Sequence, residues 1–217
     1  MAGPKFIAIA GNIGTGKSSL VDFLTSSYEI EPFYEPNDEN PYLPDFYKDM
    51  RRWAFQSQLF FLSNKFRIHQ EAERRPGVVI QDRTIFEDAE IFATALHQMR
   101  KIDRRDWQTY WSFYQTILGA IQPPDLMIYL RCSMRTLRKR IRTRGRTMEQ
   151  SIPLSYLKRL DTLYENWISN YTFSEVLVLE TDQLDFVHDL VDRLDVRERV
   201  EALLPATLRR TRRGRQP

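Results

Sequence analysis

An eight-residue segment near the N-terminus has the residue types and spacing of a phosphate-binding loop. Gly11–Ser18 reads GNIGTGKS and fits the pattern GxxxxGK[ST] in full. Glycines let the backbone wrap so that successive N–H groups face phosphate oxygens, and the following helix adds its positive N-terminal end. Lys17 is expected to reach the β- and γ-phosphates, and the Ser18 hydroxyl to ligate Mg²⁺. The segment lies between an apolar run and a helical pattern, which predicts an NTP site. The expected nucleotide-binding residues of this loop are Gly11, Asn12, Ile13, Gly14, Thr15, Gly16, Lys17, Ser18 and Ser19.

Two acidic residues follow candidate strands. Asp82 and Arg83 follow the apolar run Val78–Ile80 after one intervening residue, Gln81. Side chains at the carboxyl end of a parallel strand face the ligand crevice. Asp82 could organise a metal ion there. Glu35 precedes a proline that favours extended backbone, and its carboxylate could take a proton from an attacking hydroxyl. A helix-capping Asp–Arg pair and a solvated loop acid remain open as alternatives.

Residues 131–146 hold seven arginines, one lysine and no acidic residue. Several of the arginines recur at three- and four-residue steps, which on a helix would present guanidinium groups on more than one face. A solvated basic helix is one reading. Because the phosphate-binding loop is complete, we favour a lid over about residues 140–152 that closes over the NTP and stabilises charge on the transferred phosphoryl group. The arginines in this pattern are Arg135, Arg138, Arg140, Arg142, Arg144 and Arg146.

The charge distribution supports a localised anion site. The chain has 217 residues and a formal net charge of +3. Residues 207–217 carry five arginines and no acid, and without this tail and residues 131–146 the chain has 19 basic against 29 acidic residues. An acidic body argues against a surface that coats nucleic acid, so a nucleic-acid partner is not expected.

The order of apolar runs predicts an α/β fold. Continuously apolar runs are typical of strands buried in a parallel sheet, and helical patterns lie between them. We therefore predict a five-stranded parallel sheet flanked by helices, with an Arg-rich lid. The predicted strands are Phe6–Ala10, Ile30–Tyr34 (at an edge), Val78–Ile80, Leu126–Leu130 and Val176–Leu179. The predicted helices are 17–26, 46–73, 84–100, 104–120, 133–143, 154–171 and 184–203.

Cysteine content and the distribution of apolar residues predict the cellular compartment of the protein. Cys132 is the one cysteine, which excludes an intrachain disulfide and indicates a reducing compartment. No apolar run approaches the roughly 20 residues of a membrane span, and the first strand begins too early to leave room for a targeting peptide. We expect a cytoplasmic protein with a single domain over 1–205 and a basic, disordered tail over 206–217.

Taken in order, the motifs resemble the deoxyribonucleoside kinase family, which includes deoxycytidine, deoxyguanosine and deoxyadenosine kinases. The resemblance covers about residues 5–190 and implies a P-loop kinase fold and transfer of the ATP γ-phosphoryl group to a deoxynucleoside 5′-hydroxyl. The motifs are the loop Gly11–Ser18, Glu35-Pro36, Trp53-x4-Gln58, Asp82-Arg83-Thr84 with Asp88 and Phe92, Arg144-Gly145-Arg146-x-x-Glu149, and Ile152-Pro153-Leu154.

The resemblance also implies residue roles. Glu35 would be the general base and Arg83 would lie beside the 5′-oxygen, with Asp82 and Ser18 ordering Mg²⁺. Gln58 and Asp88 would hydrogen-bond the base, and Phe92 would stack on it. Tyr47 and Glu149 would hold the 3′-hydroxyl. The lid arginines at the phosphates would be Arg140, Arg144 and Arg146, and the donor base would lie near the segment Asp182–Phe186, which includes Asp185.

Two positions depart from the family pattern, and a third leaves open which glutamine binds the base. Met148 stands where the lid often has a glutamate, and Lys65 where an arginine often supports the base-reading acid. Gln56 is a rival to Gln58, because the two residues are close on one helix. The stretch Phe60–Arg67 resembles bacterial purine-preferring members, which implies deoxyadenosine or deoxyguanosine as substrate.

Two other functions fit part of the pattern. A nucleoside monophosphate kinase shares the loop, lid and sheet, but its acceptor pocket needs arginines rather than carboxylates. An ATP-regulated nucleic-acid-binding protein would use the basic segments and the aromatic residues of the predicted helices.

The predicted helices 46–73 and 104–120 carry more apolar side chains than one face of the sheet needs, which would suit a dimer interface. The family resemblance likewise implies a homodimer.

Overall fold

The computed structural model describes residues 5–34, 39–146, 149–186, 189–205 and 208. The strands are β1 (Phe6–Ala10), β2 (Ile30–Phe33), β3 (Val78–Asp82), β4 (Leu126–Arg131) and β5 (Glu175–Glu180). The helices are α1 (Lys17–Ser27), α2 (Leu43–Lys48), α3 (Met50–Arg74), α4 (Ile85–Glu87), α5 (Thr94–Gln98), α6 (Arg104–Leu118), α7 (Met134–Arg144), α8 (Leu154–Ser169) and α9 (Leu190–Glu201). A π-helical turn, Asp88–Ala93, joins α4 to α5.

The strands form one parallel sheet in the order β2-β3-β1-β4-β5. The predicted five-stranded parallel sheet is confirmed, and β2 lies at an edge. Pro32 of β2 pairs in register with Ile80 of β3, and an edge strand tolerates a proline because one of its sides has no ladder to complete. β5 forms the opposite edge, which explains why it is only partly buried.

Side chains of the central strands alternate between two apolar layers. Ala8 and Ala10 of β1 face the layer that includes α3, α6 and α8, whereas Ile7 and Ile9 face the layer that includes α1 and α9. Every residue of β1 is buried. Helices therefore cover both faces of the sheet. Because β1 and β3 are parallel neighbours, their carboxyl ends lie side by side.

Two predicted helices have different limits in the structure. The helix predicted over 46–73 is divided at Asp49, whose extended backbone ends α2 and whose side chain accepts a hydrogen bond from the Arg52 N–H at the start of α3. The helix predicted over 184–203 begins at Leu190 instead, where Asp189 caps the first turn. In both cases an aspartate that accepts from free N–H groups sets the helix start.

The aromatic residues of α3 and α6 largely belong to the core. Phe61, Tyr110 and Tyr114 are buried in the same apolar layer, so their rings are not available to stack on exposed bases. Phe113 of α6 is an exception, with 53% of its surface exposed. No described helix is long and apolar enough to cross a membrane. The predicted tail over 206–217 lies outside the described residues, apart from Leu208.

His69 of α3 is a buried titratable group that does not line the cleft-forming end of the sheet. Its ring packs edge-on against Phe6 and Phe86, and its Nε2 lies 2.7 Å from the carbonyl oxygen of Gln122. Burial lowers the pKa of His69 below its ordinary value of 6.5, although the Gln122 carbonyl and the nearby Glu73 carboxylate favour the charged ring.

This burial predicts a pH-dependent stability. Between pH 8 and 5.5 the unfolded imidazole binds a proton more readily than the buried one, so the free energy of unfolding should fall as the pH falls. His69→Gln, which cannot titrate, should flatten this slope in urea denaturation. An unchanged slope in His69→Gln would show that other groups cause the dependence.

Candidate functional site

The loop between β1 and α1 is closed by short contacts that require glycine. A Cβ on Gly11 would lie 2.8 Å from the carbonyl oxygen of Leu130, and one on Gly14 would lie 2.9 Å from Ile141 of α7. Both glycines have positive φ angles, 149° and 85°, which L-residues with side chains rarely adopt. The loop is therefore seated between β4 and the arginine-bearing helix α7.

Internal hydrogen bonds shape the same loop. The Asn12 carboxamide oxygen accepts from the Ile13 N–H at 2.8 Å, and the Asn12 Nδ2 donates to the Leu157 carbonyl of α8 at 3.2 Å. Lys17, buried at the start of α1, donates to the carbonyl oxygens of Gly11 and Asn12 at 2.8 and 2.9 Å. The Lys17 ammonium therefore lies within the curl of the loop, where a phosphate chain would be wrapped by backbone N–H groups.

Ser18 and Asp82 join the loop to the end of β3. The Ser18 hydroxyl donates to Asp82 Oδ2 at 2.6 Å. The other carboxylate oxygen, Asp82 Oδ1, is buried and accepts no hydrogen bond from the residues that the structure describes. Two oxygen ligands side by side, one of them with unused capacity, suit a hard divalent cation that takes its other ligands from phosphates and water. Within the described ranges no cluster of three His, Cys, Asp or Glu side chains could hold a metal alone.

Arg83 has a strained backbone at this edge. Its φ angle is +59°, a region that non-glycine residues occupy sparsely and that is found at functional sites. Its Nη2 donates to the carbonyl oxygen of Gly11 at 3.4 Å, and its guanidinium carbon lies 4.3 Å from the ring centre of Phe92. The arginine therefore bridges the phosphate-binding loop and the π-helical turn.

A cleft of about 200 Å³, partly open to solvent, extends from the loop across the end of the sheet. Most of the predicted site residues meet there, and apolar residues of α2 and α3 complete the wall. The predicted residues that line it are Ile13, Gly14, Gly16, Lys17, Ser18, Ser19, Tyr47, Gln58, Asp82, Arg83, Asp88, Phe92, Arg144, Arg146 and Glu149. Leu43, Phe46, Phe61 and Tyr156 line it as well.

The structure distinguishes the two glutamines of α3. Gln58 lines the cleft and is buried, and its Oε1 accepts no hydrogen bond from a described residue. Gln56 does not line the cleft. In the amide orientation that satisfies both of its polar atoms, it pairs with the carbonyl and guanidinium of Arg52 on its own helix. The position of Gln58 therefore favours it as the polar group for a ligand in this pocket.

The lid residues form an ion cluster over the cleft. Glu149, buried to all but 8% of its surface, pairs with Arg144 and with Arg146, whose Nη1 lies 3.4 Å from the carboxylate. Gly145, with a φ angle of +70°, ends α7 between the two arginines. The predicted sugar-binding acid and two predicted phosphate-binding arginines are thus brought together at the mouth of the cleft.

Six predicted residues that the structure describes do not line this cleft: Gly11, Asn12, Thr15, Arg140, Asp185 and Phe186. Arg140 donates to the carbonyl oxygens of Thr15 and Thr181 at 3.0 and 2.5 Å, so it braces the outer side of the phosphate-binding loop. Phe186 is buried in the layer beneath α1, 6.3 Å from the Phe23 ring, and the backbone N–H of Asp185 donates to Asp192. Glu35, the predicted general base, lies outside the described residues.

Two buried charges lie near the site: Lys65, which the family pattern places beside the base-reading acid, and Glu87, which none of the sequence motifs includes. Lys65 of α3 donates to the carbonyl oxygens of Asp82 and Arg83, rather than to the carboxylate of Asp88, where its position in the motif order had pointed. Glu87 accepts hydrogen bonds from the N–H groups of Gly11 and Thr84. Burial raises the pKa of Glu87, and the charges of Arg83 and Lys17 oppose the rise. A capping box formed by Thr84 and Glu87 was the available sequence signal.

The parallel sheet, the glycine loop with its lysine, the carboxylate at the end of β3 and the arginine-rich lid together define a P-loop kinase. A family model described as deoxynucleoside kinase matches residues 7–205. The chain therefore belongs to the deoxynucleoside kinase family, as the sequence motifs predicted, and family membership makes it a phosphotransferase that binds nucleotides.

Individual relatives agree with this assignment. The chain is 35% identical over 187 residues to a deoxyadenosine/deoxycytidine kinase of Bacillus subtilis, covering 85% of this chain and 86% of the relative. It is also 35% identical over 196 residues to a deoxyguanosine kinase of Lactobacillus acidophilus, covering 86% and 85%. A structure of deoxyadenosine kinase from M. mycoides with bound dCTP superposes with a TM-score of 0.79 at 30% identity, covering 91% of this chain and 99% of that chain. The same enzyme with bound dATP gives a TM-score of 0.78 over the same shares of both chains.

Proposed function

We propose that the chain transfers the γ-phosphoryl group of ATP to the 5′-hydroxyl of a deoxynucleoside, as a cytoplasmic enzyme of nucleotide salvage. The observation that carries the proposal is the set of residues that line the cleft. Lys17 and the phosphate-binding loop line it together with Gln58, Asp88 and Phe92, which form a pocket of mixed polar and aromatic character. A nucleoside seated in that pocket would direct its 5′-hydroxyl towards the loop.

Phosphoryl transfer depends on positioning and charge neutralisation, because its transition state is loose. Lys17 and the loop N–H groups would hold the donor phosphates, and Arg144 and Arg146 would neutralise charge that develops on the transferred group. These two arginines now pair with Glu149. Donor phosphates would compete for the guanidinium groups and leave the Glu149 carboxylate for the sugar 3′-hydroxyl. Arg140 would act indirectly, by holding the phosphate-binding loop through the carbonyl oxygen of Thr15.

The proposed metal is Mg²⁺, bound with ATP. Ser18 and Asp82 would hold it through the hydroxyl and carboxylate oxygens that already adjoin each other. When bound, Mg²⁺ supplies positive charge between the phosphates and orients them. The small number of protein oxygens fits this ion, because Mg²⁺ usually retains water and phosphate ligands.

The charge of the acceptor pocket favours a nucleoside over a nucleoside monophosphate. Asp88 and Glu149 line the pocket, and the arginines that line it with them are engaged within the protein. Arg144 and Arg146 pair with Glu149, and Arg83 lies between Gly11 and Phe92. A monophosphate acceptor would add two negative charges beside these carboxylates, which is unfavourable in a cleft with low dielectric walls. An uncharged nucleoside avoids that repulsion.

The donors and acceptors around the base support deoxyadenosine as the preferred substrate. Asp88, as a carboxylate, accepts hydrogen bonds, and Gln58 offers one donor and one acceptor group. The nearby cations are engaged elsewhere, because Lys65 binds main-chain carbonyls and Arg83 lies between Gly11 and Phe92. With the 6-position of the purine facing Asp88, the 6-amino group of adenine would donate to this carboxylate and the Gln58 amide would pair with a ring nitrogen. The 6-oxo group of guanine, in the same place, would face an acceptor.

We also propose a homodimer that uses the surface of α6. Phe113 is largely exposed on this helix, and Trp111 and Ile117 are only partly buried against the core. An apolar helix face that the fold leaves partly uncovered is a common element of subunit interfaces.

Glu35→Gln tests the proposed general base. Loss of a base of this kind lowers the rate by about 10²- to 10⁴-fold, so kcat should fall into that range while the Kd of ATP changes little. Steady-state kinetics and ATP titration measure the two quantities. Glu31→Gln on β2 is the matched control, because Glu31 faces the exposed Arg75 at 3.2 Å and should leave kcat unchanged. Near-normal turnover of Glu35→Gln would remove Glu35 from the mechanism.

A comparison of deoxyadenosine with deoxyinosine tests the base preference, because these purines differ at the 6-amino and 6-oxo positions. One unpaired buried polar group costs about 1–3 kcal/mol, so kcat/KM should favour deoxyadenosine by roughly 10- to 100-fold. Asp88→Asn introduces a donor and should narrow the ratio. Equal use of both nucleosides, or a preference for deoxyinosine or deoxyguanosine, would contradict the assignment of adenine and leave the kinase activity in place.

A further inference from the structure

Two buried charges hold the turn that presents Asp82 and Arg83 to the cleft. Lys65 lies on α3, fully buried, and its ammonium donates to the carbonyl oxygens of Asp82, at 2.9 Å, and of Arg83. A buried ammonium is costly unless it is hydrogen-bonded, and an apolar side chain would fill the same space more cheaply. The position of Lys65 is therefore explained by the two carbonyls that it binds.

Glu87 holds the same turn from its amide side. It is fully buried, and its Oε2 accepts from the N–H of Thr84 at 2.9 Å. Its Oε1 accepts from the Gly11 N–H at 3.3 Å and the Tyr164 hydroxyl at 2.8 Å, and lies 3.9 Å from Arg83 Nε. One carboxylate thus connects the turn, the phosphate-binding loop and α8.

The strained backbone of Arg83 lies between the groups that Lys65 and Glu87 bind. Arg83 has a φ angle of +59°, and strain of this kind persists only where the surroundings over-determine it. Lys65 binds the carbonyls on both sides of the Arg83 N–Cα unit, and Glu87 binds the next amide along the chain. Relaxation of φ would turn the side chains of Asp82 and Arg83 away from their contacts with Ser18 and Gly11.

We propose that Lys65 and Glu87 are positioning residues for phosphoryl transfer and act through Arg83. Neither residue lines the cleft, so neither contacts the substrate directly. They keep the strained turn in the one conformation that directs Arg83 towards the acceptor and Asp82 towards the metal. The proposal rests on the kinase activity proposed above and assigns a function to the two charges that this activity does not itself explain.

A double-mutant cycle tests the proposal. Lys65→Met keeps the size of the side chain and removes the charge, and it should lower kcat about 10²-fold, the usual effect of a misplacement of roughly 1 Å. The KM for ATP should change less than about threefold, since the loop retains its own contacts. In an Arg83→Ala background the same substitution should cost less than about threefold in kcat, because residues that act as a unit are not additive.

Two further variants separate positioning from folding. Leu62→Ala removes a buried side chain of α3 from the core; it should lower Tm and leave kcat within about twofold. Glu87→Gln keeps the shape of the side chain and tests the clamp from its other side, should Lys65→Met fail to fold; its effect on kcat should likewise shrink in the Arg83→Ala background. Near-normal kcat in the single variants, or an equal loss with and without Arg83, would overturn the proposal. A wild-type enzyme that phosphorylates no deoxynucleoside would instead contradict the proposed function.

Discussion

The parallel pairing of β1 with β3 is the constraint on which the rest of the cleft depends. It places the glycine loop after β1 beside the Asp82–Thr84 turn after β3, so that Ser18 can donate to Asp82 and Arg83 can reach Gly11. Short polar contacts of this kind need backbone positions defined to a fraction of an ångström. A central strand with both faces covered by helices supplies that definition, because packed cores deform little.

The arginines of residues 131–146 make several different kinds of contact, which the net charge of the segment does not reveal. Arg131 pairs with Glu165 and Glu180 at the end of β4. Arg140 binds main-chain carbonyls behind the phosphate-binding loop. Arg144 and Arg146 hold Glu149 at the cleft. The basic cluster therefore includes a surface ion network, a brace and a pair of groups that donor phosphates could recruit.

The strands and the phosphate-binding loop could be predicted because they depend on local sequence. Apolar runs mark buried strands, and the loop needs glycine where a Cβ would collide with Leu130 or Ile141. The direction of a long side chain could not be predicted in this way. Lys65 could have turned towards Asp88 or towards the β3 carbonyls, and only the packing of α3 on the sheet decides between them. The preference for Gln58 over Gln56 likewise depends on which face of α3 meets the cleft.

The proposed reaction is tested most directly by comparing deoxyadenosine with deoxyadenosine 5′-monophosphate as acceptors of the phosphoryl group from Mg·ATP. Products are identified by mass, and kcat/KM is measured for each acceptor. Because Asp88 and Glu149 line the acceptor pocket and Arg144 and Arg146 are already paired with Glu149, we expect monophosphate formation from deoxyadenosine and little or no diphosphate formation from the monophosphate. Equal or faster phosphorylation of the monophosphate would contradict the account, as would ATP hydrolysis that leaves both acceptors unchanged.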